Sequence, residues 1–228
     1  MTTDGGRASN AGPERQEEAV RKATADDASR LARTLAQAFY DDPLMRWILP
    51  NESRRQRQLY RSFESIFLKR LCLPHDETYT TEGIAGGALW LPPGNWPLGL
   101  LDNLRLLPHF AASWGRNVPR ALRFSSQLDS KHPHDPHYFL YFLGVQPGRQ
   151  GKGIGTSLMQ PVLERCDRER IPAYLEASAS RNRNLYARNG FEVVEEVQLP
   201  AGAPPIWRMW REPKARSHAI DSTQTSDP

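Results

Sequence analysis

The spacing of apolar residues changes several times along the chain, and each change marks an element. Val20 to Ala23 reads as a short strand. Thr24-Ala25-Asp26-Asp27 supplies an N-cap, after which Leu31, Leu35, Ala38 and Phe39 recur at helical spacing. Pro43 disfavours helical geometry at the preceding residue, so this helix is expected to stop before Asp41-Asp42-Pro43. Leu44 to Leu49 is a short apolar, aromatic segment. Asn51 caps a second helix, in which Leu59, Phe63, Ile66, Phe67 and Leu71 form one apolar face. Thr78 to Thr81 and Gly86 to Leu91 read as a strand pair turning near Glu82-Gly83 and ending at Pro92-Pro93-Gly94.

Over 97–130, Leu98, Leu101, Leu104 and Leu107, then Phe110, Trp114, Leu122 and Leu128, predict a helical insertion of short helices broken by Pro108 and Pro119. The second half is more regular. It predicts a strand at Tyr138 to Val145, a Gly-rich turn at 148–155 and a helix over about 153–169. A strand follows at Ala173 to Ser178, then a short helix near Asn182 to Arg188. Strands at Phe191 to Leu199 and Ile206 to Arg211 close the chain. Pro161 lies inside the helix after the turn and is expected to kink it. Strands alternating with helices give a mixed α/β class, α+β with a mixed sheet.

Composition sets the boundaries. Hydrophobic residues make up 39% of the 228, a low share explained by residues 1–18 and 213–228, which carry almost nothing large and apolar. Both ends read as disordered tails around one domain at 19–212. The formal charge of +4 comes from basic residues interleaved with acids, as in Glu164-Arg165-Cys166-Asp167-Arg168-Glu169-Arg170. That is the pattern of solvated helix faces, and no nucleic-acid partner is expected. Two distant cysteines, Cys72 and Cys166, argue against a disulfide scaffold or a zinc site and favour a reducing compartment. No stretch resembles a signal peptide or reaches the ~18 apolar residues of a spanning helix, so no membrane partner is expected and the location is expected to be cytoplasmic.

The chemistry concentrates in Gly148-Arg149-Gln150-Gly151-Lys152-Gly153-Ile154-Gly155-Thr156, between a strand and a helix. A helix start exposes unpaired N–H groups and positive partial charge, and glycines let the backbone curve closely round a ligand. Together these make a phosphate cradle. A nucleotide P-loop does not fit, because Gly153 follows Lys152 where Ser or Thr is required. The dinucleotide spacing Gly-x-Gly-x-x-Gly fails at Thr156. Gln-x-x-Gly-x-Gly is met by Gln150, Gly153 and Gly155. A glycine-rich turn without a ligand is the plainer alternative.

The segment Tyr138 to Leu163, with the later Pro172 to Val193, resembles the coenzyme A core of the GNAT N-acetyltransferases. The aromatic strand, the Gln-Gly-Lys-Gly loop, the helix proline, Leu-Glu-x-Ser, Arg-Asn, Tyr and Gly-Phe are most similar to the puromycin N-acetyltransferases. The resemblance implies a GNAT-like fold with the helical insertion before the coenzyme A strand. It implies acetyl-CoA as co-substrate, with no metal. Leu143, Gly144 and Val145 would then pair by backbone with the pantetheine arm. Amides of Gln150, Gly151, Lys152, Gly153, Ile154, Gly155 and Thr156 would hold the pyrophosphate, and Asn182 would lie near the pantetheine. Tyr186 would face the sulfur as proton donor to the leaving thiolate, or else be a packing residue.

Many GNAT enzymes place a carboxylate on the strand entering the loop, and this strand has none. Glu176 is the nearest candidate, as base, as an amine-orienting group or as the partner of an arginine. A weak base suits an α-amino group, with a reference pKa of about 7.7–8.0, better than a lysine at about 10.4. Tyr40, Asp42, Trp47, Trp90, Trp96 and Trp114 belong to segments that would build the acceptor side, either as core or as an aromatic-walled pocket for a ring-bearing amine. His132-Pro133-His134-Asp135-Pro136-His137 reads as a loop rather than a metal site. The expected activity is acetyl transfer to the primary amine of a small molecule, such as an aminonucleoside antibiotic of the puromycin type, by a monomer or homodimer. A protein lysine or N-terminal acetyltransferase and a non-catalytic acyl-CoA sensor are the rivals.

Overall fold

The computed structural model describes residues 18–199 and 202–215, so the expected tails lie outside the described residues except at their inner ends. Seven strands form one sheet in the order β1-β2-β3-β4-β5-β7-β6. They are β1 (Val20–Lys22), β2 (Thr78–Thr81), β3 (Gly86–Leu91), β4 (Tyr138–Val145), β5 (Ala173–Ala177), β6 (Glu192–Val197) and β7 (Ile206–Arg211). Neighbours run antiparallel except β4 and β5, which are parallel. The parallel step needs a crossover, and α6 (Ile154–Glu169) supplies it. The mixed α/β class and the strand positions agree with the sequence reading to within a few residues.

The two sheet faces hold two cores. Leu158, Met159, Val162, Leu163 and Cys166 of α6 pack with Trp90, Leu140 and Leu175 on one face. On the other, α1 (Ala28–Ala38) and α3 (Glu52–Ser62) bury Leu31, Leu35 and Leu59 against Leu89, Phe139 and Tyr174. A strand covered on both sides reads as an almost unbroken apolar run, which is why β4 is Tyr-Phe-Leu-Tyr-Phe-Leu-Gly-Val. The expected Asn51 cap is present: its side-chain oxygen accepts from the Arg54 N–H at 3.1 Å. Leu44 to Leu49 proves mostly helical as α2 (Pro43–Ile48), started by the Asp42 carboxylate, which accepts from the N–H groups of Leu44 and Met45. Beyond α3 the chain continues as a π-helical stretch, Phe63–Cys72, that the sequence pattern does not distinguish from the helix before it.

The insertion is two helices, α4 (Leu100–Trp114) and α5 (Val118–Asp129). Neither proline breaks it as expected. Pro108 sits within α4 on its exposed side, where the carbonyl it leaves unpaired can reach water. Pro119 falls in the first turn of α5, where a missing N–H costs little. The break comes at Gly115, whose φ of +53° ends α4. The helix α6 likewise runs unbroken through Pro161. No helix among the described residues is long and apolar enough to cross a membrane.

Candidate active site

β4 and β5 pair only over Tyr138–Ala173, Phe139–Tyr174 and Leu140–Leu175. Beyond that seam they part, while the other edge of β4 stays paired with β3 as far as Val145–Gly86. Alternate backbone groups of Tyr141 to Val145 therefore face a gap instead of a neighbouring strand. The cause of the bend is a β-bulge. Leu89 faces Phe142 and Trp90 faces Leu140, so Tyr141 is the extra residue, and it turns to the same face as Phe142. Gly144 is required here, because an added Cβ would lie 2.8 Å from Leu35 Cδ2 and 3.0 Å from Phe39 Cε2. The missing side chain lets α1 lie directly on the bent strand.

After the strand, Gly148, Gly151 and Gly153 take φ values of +82°, +77° and +90°, the left-handed region that favours glycine. Gln150 Nε2 donates to the Val145 carbonyl at 3.0 Å and ties the loop back to β4. Gly153 caps α6 with no side-chain acceptor, so the amides of Ile154, Gly155 and Thr156 are left for a ligand. A cleft of about 330 Å³ opens in front of them. Its walls include Leu143, Gly144, Val145, Gln150, Gly151, Gly153, Ile154, Gly155, Thr156, Asn182 and Tyr186. Lys152 is exposed and does not line it. Arg149, Arg181 and Arg188 do, and add positive charge that the sequence reading did not single out at 181 and 188.

A second cavity, of about 180 Å³, lies under the insertion. Trp96, Phe110, Trp114, Phe139 and Tyr141 make it aromatic, and Asp129 and Glu176 make it acidic. The two cavities meet: Phe39, Leu143, Asn182 and Tyr186 line both. Of the residues read as acceptor-side aromatics, only Trp96 and Trp114 are here. Trp90 is fully buried in the core on the α6 side of the sheet. Tyr40 and Trp47 instead sit under guanidinium groups, with Arg55 and Arg120 each 5.1 Å from the ring centre. Asp42 lines the cleft rather than the aromatic cavity.

Tyr186, on α7 (Ser180–Arg188), is 7% exposed and its hydroxyl has no hydrogen-bond partner among the described residues. Burial, and secondarily the Asp42 carboxylate, push its pKa above the usual tyrosine value. The Asp42 carboxyl is itself raised by burial, against hydrogen bonds from Ser178, Met45 and Leu44. Glu176 is raised to about 7, first by seclusion from water, with the Asp129 charge adding to the rise and the Tyr174 hydrogen bond and Arg208 opposing it.

The orientation of Glu176 is set by a chain of donors. Arg208 Nε donates to the Tyr174 oxygen at 3.0 Å, and the Tyr174 hydroxyl donates to Glu176 Oε1 at 2.9 Å. Arginine can only donate, so the tyrosine proton is committed to the carboxylate. The arginine considered as a partner thus acts through Tyr174, and its own ion pair is with Glu195 at 2.5 Å.

The histidine run is a loop between α5 and β4, as read, but its two ends turn inward. His132 and His137 are buried, and their rings stand 5.0 and 5.4 Å from that of Tyr174. A carbonyl can only accept, so His137 Nδ1 donates to the Asp135 oxygen at 2.6 Å. His137 Nε2 then accepts from His132 Nε2 at 3.1 Å. Burial keeps both neutral, with the His132 pKa lowered to about 3.

Residues 106–191 match the model of the acetyltransferase (GNAT) family. An uncharacterised N-acetyltransferase of Schizosaccharomyces pombe is 29% identical over 219 residues, 90% of this chain and 88% of that protein. A Corynebacterium glutamicum structure, described as histone acetyltransferase HPA2 and related acetyltransferase, is similar with a TM-score of 0.64 at 24% identity, over 87% of this chain and 97% of that one. The PaiA N-acetyltransferase of Thermoplasma acidophilum, solved with coenzyme A, has a TM-score of 0.50 at 13% identity, over 85% and 98%. The GNAT family match spans the seam, the glycine loop, α6 and α7, and the Schizosaccharomyces pombe N-acetyltransferase is similar along most of both chains.

Proposed function

We propose that this enzyme moves the acetyl group of acetyl-CoA to the primary amine of a small, ring-bearing molecule, with aminonucleosides of the puromycin type as the first candidates, and that it works in the cytoplasm. The observation that carries the reading is the meeting of a glycine-walled cleft with an aromatic cavity at Tyr186. The pyrophosphate rests on the α6 amides, and the pantetheine runs along the free edge of β4. The thioester then reaches the junction, and the amine enters from the aromatic side. Walls supplied by the insertion, among them Trp114, Val118, Leu122 and Phe124, cover the acceptor side and favour a small acceptor over a protein chain.

Glu176 takes a proton from the ammonium and leaves a neutral amine. The nitrogen attacks the thioester carbonyl, the C–N bond forms, and the C–S bond breaks. Tyr186 gives its proton to the departing thiolate and is restored by the second proton of the nitrogen. The products are the amide, free coenzyme A and the proton held by Glu176.

The test is thiol release from acetyl-CoA with puromycin and with a lysine-bearing peptide at equal concentration. Turnover excludes a silent sensor, and a kcat/KM favouring the peptide by about tenfold overturns the small-molecule reading. Tyr186→Phe is expected to lower kcat by about 10²–10⁴-fold while the Kd of acetyl-CoA stays within about twofold, since the hydroxyl acts only as the thiolate leaves. A kcat near wild type would return Tyr186 to a packing role.

A further inference from the structure

Asp129 is an acid that its local structure does not explain. It is the last residue of α5, where the carbonyl end of a helix repels a carboxylate. It lines the aromatic cavity, and burial raises its pKa against the hydrogen bond from the Trp96 side chain. No cation among the described residues pairs with it. Its charge reaches both Glu176 and Tyr141, so carboxyl groups from α5 and β5 address one chamber. Two other polar groups of that chamber, each on a side chain more than nine-tenths buried, also lack partners: Trp114 Nε1 and the Tyr186 hydroxyl. Two secluded carboxyl groups repel each other, and a single cation between them relieves both. Aromatic walls favour the same occupant, because a ring face attracts a cation.

We infer that Asp129 is the binding residue for the acceptor's ammonium group, and that the acceptor is a primary alkylamine arriving as a cation with its apolar or aromatic body against Trp96, Phe110, Trp114 and Tyr141. This rests on the function proposed above and assigns two tasks to two acids: Asp129 captures the charge, and Glu176 removes the proton. The insertion, by supplying both Asp129 and part of the aromatic wall, becomes the element that selects the acceptor.

Two probes of nearly equal shape separate the claim from simple apolar binding. Phenethylamine is a cation at pH 7, whereas O-benzylhydroxylamine carries a neutral amine. Calorimetry on coenzyme A-loaded protein gives a Kd for each, and Asp129→Asn preserves an acceptor for Trp96. The expected result is a wild-type preference for the cation that falls roughly tenfold or more in Asp129→Asn, with thermal unfolding unchanged. A preference ratio unchanged within about twofold, or no binding of either probe to wild type, overturns the inference. Asp129-dependent binding without acetyl transfer would instead overturn the proposed function and leave the inference standing.

Discussion

Glu176→Gln is expected to cut kcat at pH 7 by about 10²–10⁴-fold and to remove a titration from the rate profile. With its pKa raised to about 7, the wild-type carboxyl gains base strength while about half of it stays ionised at neutrality. The rate should therefore rise as pH climbs through about 7, and the glutamine variant should lack that limb. Stability should move the other way. A carboxyl whose folded pKa is raised favours the fold when protonated, and that contribution is lost as pH rises from the unfolded value through about 7. Glu176→Gln should accordingly melt above wild type at pH 8 and alongside it at pH 4. A slower variant that also melts lower at pH 8 would mean that the glutamate holds the structure rather than the proton. A full pH–rate profile with matched thermal unfolding reads both quantities.

Gly155→Val carries the second large effect. The residue is helical, and an added Cβ would stand 3.4 Å from Leu185 Cδ2 and 3.8 Å from Leu143 Cδ2, both ordinary van der Waals contacts. The branched side chain would instead occupy the space in front of the free amides of α6. Acetyl-CoA affinity is expected to fall by at least roughly tenfold, about 1.4 kcal/mol, with little change in melting temperature. Equal affinity by calorimetry would remove the phosphate cradle from this loop. Gly153 is a poorer place for the test, since its φ of +90° would strain any other residue and disturb the cap itself.

These two sites differ in how far the sequence exposes them. The cradle is local: glycine spacing, the strand before it and the helix after it all lie within 138–169, and the structure follows those boundaries closely. Glu176 was visible as an acid in an apolar strand, but its donors were not. Tyr174 and Arg208 meet only because β5 and β7 pair in a register that sets Glu176 opposite Arg208. The Tyr141 bulge is similarly hidden, since it exists only in the offset between β3 and β4. Trp90 misleads for the converse reason. Its position at a strand end suggests a pocket, yet strand alternation turns it to the α6 face. Pro108 misleads because a helix breaker is tolerated where its unpaired carbonyl meets water. Asp129 gives no signal in the chain, as its meaning comes from the aromatic residues that the fold gathers around it.

The short seam between β4 and β5 also ties catalysis to the lifetime of the folded chain. Three residue pairs join the two ends of the sheet. A molecule lodged beyond them touches β4 and α6 on one bank and α7 on the other, and so bridges a division that the backbone leaves open. Its binding adds to the unfolding free energy as RT ln(1 + [L]/Kd), about 2.7 kcal/mol when the donor stands at 100 times its Kd. Amide exchange in β5 and α7 should slow in step. With acetyl-CoA in that place, as proposed above, an abundant acyl donor is expected to protect the enzyme from proteolysis while feeding its reaction, and a scarce one to leave it both idle and short-lived.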